Sequence, residues 1–364
     1  MHLVGLMSGT SLDGVDAALV RIDGPRAVTL IAFVHRDYSD AERGRIEAVL
    51  AGGEVAAVAR LHAALAEWAA EAVDAVLAAG HLRADRLGAI AFPGQTIWHE
   101  PPIVSWQLGE PAILAERFGV RVVHNFRSRD VAAGGQGAPL VPLVDALCFG
   151  DPIHARILLN IGGMANVTWV PRRTQLEGVV GADTGPCMAI IDAIARLVDP
   201  RLRYDVDGKL AAAGKVHDDV LADLLEDSFF HLTPPRSTGR EHFGERYAGA
   251  LHRRVPGVDG VRTAVALTVE SIARCCEHFL PPSPEVVVAG GGVKHPVLMA
   301  ALAERLAQHD VALRHFDDLF FPAHAKEAVA FAFLAWLTLH GQPGNVPAVT
   351  GAEGLRVLGS ITPP

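Results

Sequence analysis

Two apolar runs, 3–7 and 15–20, flank the polar stretch Ser8-Gly9-Thr10-Ser11-Leu12-Asp13-Gly14, and this pattern predicts a strand, a tight turn and a second strand. Farther on, Val58, Leu61, Leu65, Trp68, Ala72 and Val76 recur at spacings of three and four, so residues 55–79 form one amphipathic helix; Ser39 or Asp40 can cap a helix before it. The run 87–92 (LGAIAF) reads as a buried strand that delivers 93–102 to its C-terminal end, where ligands of α/β folds gather. A short helix over 111–118 and a strand over 120–124 lead into a long, polar, Gly-rich connection at 125–139. The pattern then restarts: strand 157–161, Gly162-Gly163 and strand 165–170 echo residues 3–20, followed by a short strand at 178–182. Asp183-Thr184-Gly185-Pro186 opens a helix over 188–198 with Pro186 in its first turn, which sets the Asp183 carboxylate near a helix N-terminus. A helix over 261–279, an apolar strand at 285–289, Gly290-Gly291-Gly292, a helix through Met299 and Leu306, and a helix over 326–339 complete the body. Residues 342–364 are a Gly/Pro-rich tail.

The restart implies a degenerate duplication. The expected domains are 1–125, completed by the tail from about 342, and 126–341. In the first turn, glycines and hydroxyls gather backbone N–H groups into one small space, the geometry that cradles a phosphate, with Asp13 able to hold the accompanying Mg²⁺; an ordinary Ser/Gly/Asp hairpin has the same composition. Strand, glycines and helix at 285–306 are a phosphate or nucleoside site by the same mechanism. Together these features predict an α/β, two-domain actin-like ATPase (ribonuclease H-like) fold, with duplicated mixed sheets and flanking helices around an ATP cleft.

Composition narrows the partners. With 364 residues, a formal net charge of −9, scattered cations and 6% aromatics, the chain offers neither a nucleic-acid groove nor a basic membrane face. The N-terminus lacks a signal-peptide pattern, and the apolar run 328–339 is too short to span a bilayer. Cys148, Cys187, Cys275 and Cys276 show no zinc spacing and suit a reducing, cytoplasmic compartment.

The motifs MSGTSLDGVD (7–16), GQTIWHEP (94–101), GGQGAPLVP (134–142), NIGGMANVT (160–168), ADTGP (182–186), RSTGREHF (236–243), the late VAGGG and GNVPAVTGA (344–352) resemble the anhydro-N-acetylmuramic acid kinase family, in order and from residue 3 to near 359. The resemblance implies a cytoplasmic, homodimeric enzyme of peptidoglycan recycling. It would open the 1,6-anhydro ring of its sugar with water while moving the γ-phosphoryl of ATP to O6. Residues 9–16 (Gly9, Thr10, Ser11, Leu12, Asp13, Gly14, Val15 and Asp16) match the family's ATP loop, Asp183 its catalytic base and Glu327, the second catalytic candidate, a glutamate near the active cleft. Gly162, Gly163, Gly290, Gly291 and Gly292 are further ATP-binding candidates; Gln95, Thr96, His99, Gln107, Arg127 and Asp130 are the sugar-contact candidates. Simpler roles stand beside these: a helix cap for Asp183, a solvated helix-start carboxylate for Glu327 and a structural histidine for His99.

The chain departs from the family pattern at Pro93 (for His), Asn125 (for Asp) and Cys187-Met188 (for Gly-Asn), which removes an imidazole and a carboxylate and adds bulk after the base. Asp183-Thr184-Gly185 is also the aspartic-protease triplet, but that chemistry needs a second one and the chain has none. A nucleotide-gated binding protein of the same architecture is the non-enzymatic alternative, and a kinase of a different sugar the enzymatic one.

Overall fold

Strands β1 (His2–Met7), β2 (Gly14–Gly24) and β3 (Ala27–Asp37) form an antiparallel meander in the computed structural model, which describes residues 1–9, 11–172, 178–234 and 236–364. β4 (Leu87–Phe92) joins β1 in parallel, β5 (Gln95–Glu100) and β6 (Val104–Leu108) make a separate hairpin, and β7 (Val122–His124) joins β4 in parallel. The terminal strand Ser360–Thr362 pairs antiparallel with β7, so the sheet runs terminal strand–β7–β4–β1–β2–β3. The same plan recurs with β8 (Arg156–Ile161), β9 (Met164–Val170), β10 (Val180–Pro186), β11 (Glu285–Ala289) and β12 (Ala312–His315), in the order β10–β9–β8–β11–β12. Here too a three-stranded meander is extended by two parallel strands. The fold is α/β, with duplicated mixed sheets.

The chain divides into two compact units, Met1–Phe149 with His324–Pro364, and Gly150–Ala323. Each has its own apolar core. In the first, helix Val55–Ala79 buries Leu61, Leu65, Trp68, Ala72, Val73 and Val76, the face its sequence spacing predicts. Each large apolar side chain buried this way contributes about 1.5–3 kcal/mol. Helix Lys326–Leu339 is buried on all sides from Ala328 to Thr338. It lies so close to β1 that a Cβ on Gly5 would fall 1.9 Å from the Ala328 carbonyl oxygen. No helix among the described residues is long and apolar enough to cross a membrane.

Several expectations change. The boundary expected at 125 falls inside the first unit, which runs to Phe149 and resumes at His324, so 126–149 and 324–341 pack with residues 1–125. The stretch 93–102, expected to be a strand-end loop, is mostly the arm of the β5–β6 hairpin, and β3 was not foreseen. Pro186 ends β10 rather than entering the next helix, which starts at Met188.

Candidate active site

Between β1 and β2 the chain turns through Leu12, which holds a left-handed φ of 54° and buries its side chain in the core together with Val15. Only their backbones are left to meet a ligand. Gly14 is required by β3, since a Cβ there would lie 2.2 Å from the Arg36 carbonyl oxygen. At Gly9 a Cβ meets nothing nearer than Ser11 Oγ at 3.5 Å, so its face is open. Ser11 Oγ donates to Asp13 Oδ1 at 2.7 Å, and the Asp13 carboxylate is exposed. Thr10 lies outside the described residues. The turn is anchored from below: Gln95 Nε2 donates to the Gly9 carbonyl at 3.2 Å and Arg43 Nε to the Leu12 carbonyl at 3.0 Å. Gln95 itself is 1% exposed, and its Oε1 has no hydrogen-bond partner among the described residues.

The β5–β6 hairpin sets Thr96 opposite Gln107, whose Nε2 donates to Thr96 Oγ1 at 3.2 Å, and places His99 Nδ1 3.0 Å from Ser105 Oγ. Burial, with the Arg127 cation second, lowers the His99 pKa. The Arg127 guanidinium is in turn desolvated, which lowers its own pKa against the pull of Glu327. Its Nη1 donates to the Gly137 carbonyl at 3.4 Å, while its Nε is buried with no partner among the described residues. Glu327 opens helix Lys326–Leu339 with its side chain accessible; desolvation raises its pKa, opposed by Lys326 and Arg127 and reinforced by Asp16 and Asp145. Asp16 is also raised by desolvation, although His35 Nδ1 lies 2.6 Å from its Oδ1. Charge couples His99 to Arg127, Arg127 to Glu327 and Glu327 to Asp16 within the first unit.

Asp130 does not belong with them, and its place among the sugar contacts is corrected by its burial. At 0% exposure it accepts from Gly137 N–H, Asn345 Nδ2 and Thr350 Oγ1, each at 2.8 Å. The carboxylate ties the glycine-rich connection to the tail and has no face left for a ligand. At Asn125, φ is 55°, a conformation that asparagine and aspartate both tolerate, and Ser128 Oγ donates to its Oδ1.

In the second unit Asp183 sits within β10 opposite Asn166, where the register slips between 183 and 185. Its Oδ2 accepts the Thr238 N–H at 2.8 Å. Burial raises its pKa, the Thr238 N–H and Arg236 lower it, and Glu241 raises it. It caps no helix. The N–H groups of Cys187, Met188 and Ala189 go instead to the carbonyls of Gly163, Gly162 and Gly163 at 3.0–3.1 Å. Those two glycine carbonyls therefore face the helix, and the Gly162 N–H goes to the Met164 carbonyl at 3.2 Å. Gly290 and Gly292 are packing glycines: a Cβ on Gly292 would fall 2.1 Å from Ile161 Cγ2, and one on Gly290 2.6 Å from Asn160 Oδ1. Gly291 is exposed, with nothing within 4 Å of a Cβ. Cys187 is fully buried and its thiol is pushed up to about 12 by desolvation, so at 187 the departure is a change of core packing, while Met188 is half-buried against the same core.

Reading the sequence did not foresee the groups that hold these aspartates: Arg236 at the Asp183 main-chain carbonyl and Thr238 at its carboxylate, Asn345 and Thr350 at the Asp130 carboxylate. The signal available was that RSTGREHF and GNVPAVTGA stood out as motifs without an assigned contact.

The family model described as anhydro-N-acetylmuramic acid kinase matches residues 1–364. The chain is similar to an anhydro-N-acetylmuramic acid kinase of Caldanaerobacter subterraneus subsp. tengcongensis, 39% identical over 99% of this chain and 96% of that one. It is similar also to one of Synechococcus elongatus, 42% identical over 99% of both. Among solved structures it is similar to (R)-2-hydroxyglutaryl-CoA dehydratase component A of Acidaminococcus fermentans, at a TM-score of 0.46 and 12% identity over 92% of this chain and 96% of that one.

Proposed function

The chain belongs to the anhydro-N-acetylmuramic acid kinase family, and on that premise we propose that it opens the 1,6-anhydro ring of 1,6-anhydro-N-acetylmuramic acid with water while transferring the γ-phosphoryl of ATP to O6, giving N-acetylmuramic acid 6-phosphate and ADP. The observation that carries the chemistry is Asp183, a half-buried carboxylate with Oδ2 held by one N–H and Oδ1 without a hydrogen-bond partner among the described residues. Desolvation moves its pKa toward neutrality while leaving one oxygen free, which suits a general base that takes a proton from water. As in inverting glycoside hydrolysis, the hydroxide oxygen bonds to the anomeric carbon as the C1–O6 bond breaks, and the released O6 takes the phosphoryl group.

The turn 8–14 supplies the phosphate contacts, with Gly9 open to close approach. Mg²⁺, when bound, neutralises charge on the phosphates; the exposed Asp13 carboxylate, oriented by Ser11, fits as its oxygen ligand. Gln95 holds the turn from beneath through the Gly9 carbonyl. Thr96, His99, Gln107 and Arg127 bind sugar hydroxyl and carboxylate groups, and Glu327 orients the sugar beside Arg127. Cytoplasmic location, homodimeric assembly and a place in peptidoglycan recycling are part of the same proposal. Four free thiols, three of them buried, support a reducing compartment, and the family resemblance supports the rest.

The test is turnover of ATP with 1,6-anhydro-N-acetylmuramic acid in ¹⁸O-water, with mass analysis of the product. The expected label is at C1, with the phosphate oxygen unlabelled. Label in the phosphate, or faster phosphorylation of open N-acetylmuramic acid, overturns the coupled reaction.

A further inference from the structure

Arg236 is buried, at 8% exposure, and has no carboxylate partner among the described residues. Its Nε donates to the Asp183 carbonyl at 3.0 Å, and its Nη1 to the carbonyls of Phe229, Phe230 and Leu232 at 3.3, 3.1 and 2.7 Å. The rings of Phe229 and Phe279 each lie 4.9 Å from the guanidinium carbon. Carbonyl dipoles and aromatic faces therefore replace water around a cation that is otherwise costly to bury. The main chain adds a second link, Asp183 N–H to the Arg236 carbonyl at 3.0 Å, and two residues later Thr238 N–H reaches Asp183 Oδ2. Asp183 is gripped by the segment 236–238 at its N–H, its carbonyl and its carboxylate.

We propose that Arg236 is a positioning residue for Asp183: its fork pins the main chain at 183 and the turn 229–232, so that Thr238 holds Oδ2 and Oδ1 alone is presented to water. This rests on the reading of Asp183 as the base. The charged and titratable groups facing Asp183 are Arg236 and Glu241 from the loop that grips it and Cys275 from helix Val258–His278. Removing Arg236 takes away a positive charge and loosens the Thr238 donor. Both changes make the carboxylate easier to protonate.

The experiment compares Arg236→Gln, Arg236→Lys and Asp183→Asn in the full chain, measuring sugar-dependent ADP release against pH, KM for ATP and the melting temperature. Arg236→Gln is expected to lower kcat about 10²-fold, as for a misplaced catalytic group. It should also move the acid limb of kcat/KM upward by about one pH unit. Arg236→Lys keeps the charge without the fork, so its acid limb moves up by less than that of Arg236→Gln while kcat falls about tenfold. KM for ATP should hold in both. A folded Arg236→Gln with kcat within twofold of the parent and an unmoved acid limb overturns the proposal. If Arg236→Gln does not fold, Arg236→Lys decides alone: parental kcat overturns, reduced kcat with the acid limb shifted upward supports. Asp183→Asn separates the levels, because silent Asp183→Asn removes the base itself, whereas inactive Asp183→Asn beside silent Arg236 variants removes only the positioning role.

Discussion

Asp130 and Asp183 are both aspartates in polar, glycine-bordered stretches, and their neighbours give them different work. Three donors saturate Asp130 in the interior, whereas one N–H leaves half of Asp183 free. Asp130→Asn turns a buried acceptor into a group that points an NH₂ at existing donors, so it should lower the unfolding free energy by about 2–4 kcal/mol, read as a lower denaturant midpoint at unchanged m. Asp183→Asn should leave the unfolding free energy within about 1 kcal/mol and ATP binding measurable while sugar-dependent turnover falls by about three orders of magnitude; turnover within tenfold of the parent would remove it from the role. The difference between the two was not legible in sequence. Asn345 and Thr350 lie 215 and 220 residues from Asp130, and no local pattern pairs positions so far apart. Asp183, by contrast, was marked by the end of the short apolar run 178–182, although the strand runs on through Pro186 and holds the carboxylate within it.

At the scale of elements, the strand, glycine triplet and helix at 285–306 were legible, but what each glycine is for was not, because that depends on what packs across from it. Gly292→Ala drives a methyl into Ile161 and should destabilise by about 1–3 kcal/mol. Gly291→Ala meets open space and should leave the melting temperature unchanged while raising KM for ATP if this turn meets the nucleotide. An unchanged KM for ATP would take Gly291 out of the ATP site. The cap at Ser39 was also legible from the pattern: Ser39 accepts from Glu42 N–H and Glu42 answers at the Ser39 N–H, a full capping box. Arg36, on β3, was not foreseen as its partner, yet the Arg36 guanidinium leads the interactions that hold Glu42 down to about 2 from an ordinary 4.5. A carboxylate lowered on folding stabilises above its unfolded pKa and loses that contribution as pH falls. The midpoint gap between the parent and Glu42→Gln should therefore be full at pH 7 and close as pH drops from about 5 toward 2. A gap independent of pH would assign the effect to packing.

For the whole molecule, the apolar run 328–339 announced a buried helix but not whose core it fills. Helix Lys326–Leu339 belongs to the first unit, and so does the tail, which adds the strand beside β7 and supplies Asn345 and Thr350 to Asp130. Truncation after residue 341 should therefore cost the first unit its stability, with residues 1–149 lost to limited proteolysis while 150–323 resists it. Equal resistance of both would mean the first unit closes without its tail.

That division also orders events at the ribosome. Gly150–Ala323 is continuous and can fold as it emerges, whereas the sheet begun by β1–β4 waits for a helix and a strand encoded after residue 323. At roughly 5–20 residues per second, the interval between residues 149 and 324 lasts about ten to thirty-five seconds. Throughout it β7 is an open strand edge and the face of β1 awaiting Ala328 lies bare, the kind of surface that recruits other nascent chains. Slow codons within the middle segment would lengthen that exposure, so the yield of native protein should depend more on elongation speed between 150 and 323 than on anything in the first 149 codons.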